Sequence, residues 1–337
     1  MDRGLYTGAY AAVNDWEYFA ELTESFFSTA AWTNGREQIL GNEAYPFDFH
    51  ELRSYDSNGY RMAEKVWGIS NAGRTGNLEP FCFLNTRSPV QSSHPYRKFD
   101  KYIRVLNCLD IYAEFTVSDD LVNHAAAVAA ELLDNDNDGM VDDPAVAQAL
   151  IDAGAMIPIF EKTGSKASKT FIKASEEADD NTYTAVLYAD KMNSWYTGSA
   201  LSKNSDTTVK AILTTISKIG LRSAHPELFD THLPKAMDIA RGGFFKKAPK
   251  KYPSYAWFTN NDKKCDYDCM LIEYLSWGIL SNMGTLATGC KDVEEEWSAC
   301  TTTDFRQRDV GLYGVLVFYG LPRWAPNGNY RRSSECN

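Results

Sequence analysis

The densest set of chemically capable side chains in this sequence is the run Asp134-Asn135-Asp136-Asn137-Asp138-Gly139-Met140-Val141-Asp142-Asp143. Carboxylates at alternate positions around a turn suit a hard cation, which needs six to eight oxygen ligands. Asp134, Asp136 and Asp138 supply the alternation, and Gly139 permits the sharp bend. Met140 has only its backbone carbonyl to offer, and Asp142 or Asp143 must close the coordination. The expected ion is Ca²⁺, because five aspartates within ten residues repel one another until a cation joins them. The alternative is a solvated acidic loop that holds no metal.

The twelfth position of a full EF-hand loop falls on Ala145, which cannot act as a bidentate ligand. The loop therefore resembles the short calcium loops of dockerin and thrombospondin repeats more than a sensor EF-hand. Helices are expected on both sides. Ser118 reads as an N-cap, with Asp119 and Asp120 in the first turn and an apolar series running to Leu133. Asp143 followed by Pro144 opens a second helix that stops near Gly154. A loop between two ordinary helices points to a structural role, with the ion setting the angle between them.

The elements around this core can also be read. Trp16, Phe19, Ala20, Thr23, Phe26, Phe27 and Ala30 recur at helical spacing and predict one apolar stripe, with Glu17, Glu21 and Glu24 beside it. A short helix is predicted near Tyr60–Trp67. Residues 69–100 are broken by Gly, Pro, Ser and Asn and read as a linker between residues 1–68 and 101–337. Tyr102–Phe115 is apolar and partly alternating. Residues 155–160 and 183–189 read as strands, 206–218 and 266–287 as helices, and the tail after 320 as extended.

Composition narrows the function classes. The 337 residues are 44% hydrophobic and 23% charged, the balance of a globular protein, and no apolar run is long enough for a membrane span. A net charge of −11 argues against general nucleic-acid binding and favours a cationic ligand. Cys265/Cys269 and Cys290/Cys300 are spaced either for short disulfides, implying an oxidising compartment, or as buried thiols. The opening Met-Asp-Arg-Gly-Leu lacks a signal-peptide core, so a leader, if one exists, lies outside this sequence. Dinucleotide, P-loop and hydrolase-elbow motifs are not found.

Two stretches carry a family resemblance. AYAAVNDWEYFAELTESFF, continued by YPFDFHELRSYDSNGYRMAEKVWG, resembles the zincin metallopeptidases related to the catalytic domain of anthrax lethal factor. That resemblance implies Glu17 as third zinc ligand, Glu21 as its support and Tyr10 as the oxyanion-stabilising tyrosine. The family takes its other ligands from HExxH, and this chain has none: after His50-Glu51-Leu52-Arg53, Ser54 stands where the second histidine belongs. Residues 101–330 resemble a domain that follows such zincin domains in secreted proteins, through LLDNDNDGMVDDP, AMDIARGGFF and YPSYAWFTNNDKKCDYDCMLIEYLSWGIL. It implies Glu273 as a ligand candidate with Tyr267 about one turn away. Lys210, Ala211 and Thr214 occupy the places of a ligand-bearing helix, and Phe244 that of a histidine. EYFAEL from Glu17 and EYLSWG from Glu273 are faintly alike.

The five histidines, His50, His94, His124, His225 and His232, are scattered, although His225 and His232 flank one segment. Trp195, Tyr196, Tyr255, Trp257, Phe258, Tyr267 and Trp277 cluster in sequence around the degenerate site and either line a small-molecule pocket or pack into the core. Lys246, Lys247, Lys250 and Lys251 adjoin Tyr252 and Pro253, either binding an anionic partner or forming a solvated face.

The expected fold is thus α+β, mainly α, zincin-like, with an EF-hand-like or dockerin-like loop between two helices. The expected protein is secreted, calcium-stabilised and metallopeptidase-like, with zinc ligands too few for Zn²⁺, acting as a non-hydrolytic binding or structural module. The alternative is an enzyme, either a residual zinc peptidase or an aromatic pocket turned to oxidation of a small molecule. The identity of its protein or small-molecule ligand is not encoded in any of these motifs.

Overall fold

The computed structural model describes residues 12–26, 52, 55–67, 83, 86–89, 99–137, 139–178, 180–192, 207–287, 289–328 and 330. The chain divides into two compact units, Met1–Leu78 and Glu79–Asn337.

In the first unit, helix α1 (Asp15–Phe26) begins where the Asn14 side chain accepts the N–H groups of Trp16 and Glu17. It packs on helix α2 (Ser57–Trp67) through Tyr18, Leu22 and Phe26, which meet Leu52, Tyr60 and Ala63. Gly59 allows this approach, since a Cβ there would strike Leu22 and Tyr18. The Tyr18 hydroxyl donates to Asp56 at 2.6 Å, and Asp56 also accepts the Gly59 N–H. The apolar stripe expected through Trp16 and Ala20 is corrected here. Trp16 is 85% exposed, and the buried line runs through Leu22, Ser25 and Phe26, because that face carries the residues able to reach α2.

The second unit is mainly helical around a five-stranded mixed sheet of order β1-β2-β3-β4-β5. Strands β1 (Thr86–Arg87), β2 (Lys101–Val105) and β3 (Leu109–Ala113) pair antiparallel. Strands β4 (Met156–Phe160) and β5 (Leu187–Tyr188) continue in parallel. The apolar stretch 102–115 is therefore a hairpin, turned by Leu106 and Asn107 in left-handed conformations. The strand expected over 183–189 is reduced to Leu187–Tyr188.

A parallel step from β3 to β4 requires a crossover, and helices α3 (Asp119–Leu133) and α4 (Pro144–Ala153) form it. Their caps follow the sequence. Ser118 accepts the Leu121 N–H, Asp143 accepts those of Ala145 and Val146, and Gly154 closes α4 with φ near 60°. Helix α3 is buried on nearly every side from Ala125 to Leu133, and its alanines let neighbours pack closely. Helix α5 (Lys166–Glu177) links β4 to β5.

Beyond these, α6 (Thr208–Thr215) does not end near 218 as expected but runs on through a π-helical segment, Ile216–Leu221, into Arg222–Ala224. Gly220 explains the close fit of that segment on α4, since a Cβ there would meet Val146 and Leu150. A second π segment, Leu228–His232, leads into α7 (Leu233–Ala240). Helix α8 (Tyr267–Asn282) is capped by Asp266 and stops short of the expected 287, where Gly284 turns with φ 74°. Helix α9 (Thr302–Arg308) and helix α10 (Val310–Phe318) complete the bundle. Disulfides join Cys265 to Cys269 and Cys290 to Cys300. Cys108 is a buried thiol whose pKa burial pushes up to about 11. Among the described residues no helix is long and apolar enough to cross a membrane.

Candidate functional site

The acidic loop sits in the crossover, between the C-terminus of α3 and the N-terminus of α4. Asp134, Asp136 and Asp142 each turn a carboxylate oxygen inward, and these atoms lie within 4.8 Å of one another. Left-handed backbone at Asn137 and Gly139 folds the loop back on itself. The Gly139 N–H donates to Asp134 Oδ2 at 2.7 Å, and the Asn135 N–H to Asp142 Oδ2 at 2.9 Å. An all-oxygen donor set fits a hard divalent cation such as calcium. Of the other expected ligands, Asp138 lies outside the described residues. Met140 has a side chain 71% exposed and retains only its carbonyl as a donor.

Asp143 stands apart from the group. Its Oδ1 caps α4, and its Oδ2 meets His225 Nε2 at 2.6 Å. Of the two candidates for the closing ligand, Asp142 lies with Asp134 and Asp136, whereas both oxygens of Asp143 are engaged by the helix N-terminus and His225. His225 and His232 do come near one another through a third residue. The Tyr319 hydroxyl meets His232 Nδ1 at 2.8 Å, and the Tyr319 ring lies 5.2 Å from that of His225. A small apolar cleft beside the loop is lined by Leu132, Val146, Leu213 and Leu321 together with Asp142 and Asp143.

The loop is also clasped from the C-terminal side. The Asn135 Oδ1 accepts the N–H groups of Arg323 and Trp324, while its Nδ2 donates to the carbonyls of Glu131 and Trp324. Glu131, one turn earlier, accepts the N–H groups of Asn327 and Gly328. The Tyr330 hydroxyl donates to Asp134 in a short hydrogen bond. Glu131, Asp134 and Asn135 are all buried, so these bonds satisfy groups that would otherwise be costly to dehydrate. Neither Asn135 nor Glu131 is singled out by the sequence motif, which marks only the alternating aspartates.

The second region gathers around Glu273 on α8. Lys210 on α6 places its ammonium 2.9 Å from Glu273 Oε2 and 4.6 Å from the centre of the Trp277 ring. Glu296 stands in the same field. Burial holds its carboxyl above the ordinary range, while Lys210 pulls it down and Glu273 pushes it up. Lys210 thus supplies the positive charge that answers the Glu273 carboxylate. Tyr267 faces elsewhere. It donates to Asp238 Oδ1 at 3.1 Å, and burial with that carboxylate raises its pKa to about 12.

Of the seven aromatic residues expected around a pocket, two enter the core and Tyr255 is exposed. Phe258 and Trp277 are buried, the Trp257 indole donates to the buried Asp309, and Trp195 and Tyr196 lie outside the described residues. Asp309 also accepts the Tyr274 hydroxyl, and burial raises the pKa of both groups.

Glu17 and Glu21 lie half-buried on α1, in the other compact unit, and Tyr10 and His50 lie outside the described residues. No protein-family model matches the chain, and comparison with curated proteins and with solved structures likewise gives no match.

Proposed function

We propose that this is a secreted, calcium-stabilised, metallopeptidase-like protein that works as a non-hydrolytic binding or structural module. The observation that carries the reading is the convergence of Asp134, Asp136 and Asp142 at the junction of α3, α4 and the C-terminal tail. A divalent cation there joins α3 to α4 in the loop that also receives the C-terminal tail, distant in sequence. The loss of hydrolysis rests on Lys210, whose charge compensates Glu273 where the zincin resemblance asks for a metal. The two disulfides suit an oxidising compartment and so support secretion.

Calorimetric titration of chelator-treated protein tests the proposal. The expected outcome is one Ca²⁺ per chain, with no binding in an Asp134→Asn, Asp136→Asn double variant. Zinc at one per chain together with chelator-sensitive proteolysis would instead establish a residual peptidase. Turnover of a small aromatic substrate without metal would establish a recruited pocket.

A further inference from the structure

The lysine-rich turn that follows α7 is not used by either region described above. Residues 244–266 carry six lysines, Lys246, Lys247, Lys250, Lys251, Lys263 and Lys264, against Asp262 and Asp266. That is a local charge of +4 in a chain whose net charge is −11. All six lysines are exposed, and among the described residues none of their ammonium groups is in an ion pair or hydrogen bond. The acidic run Glu294–Glu296 bonds to the nearby Thr259 through backbone carbonyls and leaves these lysines unpaired.

The two lysine-bearing stretches are sewn together. Lys247 and Asp266 form a backbone bridge, Tyr252 donates to the Asn260 carbonyl at 2.9 Å, and the Cys265–Cys269 disulfide closes the second turn. Arg241 is fully buried beneath the first turn, donates to the Phe245 carbonyl at 2.6 Å and lies against the rings of Phe245 and Tyr267. Gly242 and Gly243, at φ 75° and 154°, make the bend that starts it. This fixed platform presents Phe244 at 60% and Tyr255 at 69% exposure, with Ile239 at 65% on the last turn of α7.

We propose that this platform docks on an anionic lipid surface, with the lysines over the headgroups and Phe244 and Tyr255 at the interface. Exposed large apolar side chains beside unpaired cations match a surface that offers both negative charge and hydrocarbon. Lysines act as point charges without a fixed fork, which suits a smeared plane of headgroups more than one oriented phosphate. Exposed Phe and Ile have nothing to gain from a soluble polyanion.

Co-sedimentation of the full chain with vesicles of phosphatidylcholine alone, or mixed with phosphatidylglycerol, tests this. Binding is expected only to the mixed vesicles and to weaken as salt is raised. Replacing Lys246, Lys247, Lys250 and Lys251 by Ala is expected to reduce binding at least about tenfold. Phe244→Ser with Tyr255→Ser is expected to reduce it several-fold while leaving retention on a heparin column unchanged. Far-UV circular dichroism of each variant confirms that it is folded. No binding to mixed vesicles overturns the proposal. So does vesicle binding unaffected by the aromatic substitutions with a lysine-dependent heparin affinity, which would assign the platform to a soluble polyanion.

Discussion

The acidic loop and the Glu273 region face the same electrostatic problem and answer it differently. Both bring carboxylates together in partly dehydrated surroundings, where mutual repulsion is strong. Around Glu273 the chain supplies the positive charge itself, through Lys210 set between Glu273 and the face of Trp277. In the loop, Asp134 and Asp142 are met by the N–H groups of Gly139 and Asn135 and the hydroxyl of Tyr330, which are dipoles rather than charges. The three carboxylates of the loop nonetheless converge within 4.8 Å, an all-oxygen set suited to a hard cation. The comparison teaches that what packs beside a carboxylate decides how it is answered: a side-chain ammonium at Glu273, backbone and hydroxyl dipoles at Asp134 and Asp142.

The largest expected effect comes from taking apart the clasp on the loop. Asn135→Ala removes a buried side chain that makes hydrogen bonds to the tail backbone on both its atoms, and should cost about 3 kcal/mol. Denaturant unfolding reads the loss, and hydrogen exchange should quicken at Arg323 and Trp324. A loss below about 1 kcal/mol would mean that the tail is not anchored there.

Calcium should follow closely. At a concentration about 100-fold above its dissociation constant, binding to the folded chain alone adds about 2.7 kcal/mol. The melting temperature should therefore rise with Ca²⁺ and fall with a chelator. Asp136→Asn with Asp142→Asn should abolish the response. An equal response in that variant would break the comparison, because the loop would then be no different from any acidic surface.

Lys210→Met should cost about 1 kcal/mol at neutral pH, since the pair it breaks is only partly exposed. Removing the ammonium also lets the Glu296 carboxyl rise further above the ordinary 4.5. A carboxyl raised in the folded state contributes stability below its unfolded pKa and loses it as pH climbs through the folded one. The Lys210→Met penalty should therefore shrink as pH is lowered towards 4.5. A penalty independent of pH would show that Lys210 acts only by packing on Trp277. Smallest of all, a double-mutant cycle of Lys210→Ala with Glu273→Ala should give a coupling near 0.5 kcal/mol.

Local signals were the most legible. Ser118, Asp143, Pro144 and Gly154 announced both crossover helices, and the structure places caps on Ser118, Asp143 and Gly154 with Pro144 opening the second helix. The alternation of Asp134, Asp136 and Asp138 announced the loop. Misreadings came where neighbours decide. Periodicity on α1 pointed to Trp16, yet the buried face is the one that meets α2 at Gly59. The helix begun at 208 continues through a π segment, where Gly220 lets it pack closely on Val146 and Leu150 of α4.

The sequence by itself determined the elements whose causes lie within a few residues, the caps, the turns and the charged runs, since those energies depend on near neighbours alone. Only the tertiary structure decided which aspartates share a point in space, that Asp143 belongs to His225, and that Lys210 finds Glu273. Each of those pairings joins groups far apart along the chain. Electrostatic energy depends on distance through space, and the packing of α3, α6 and α8 sets that distance.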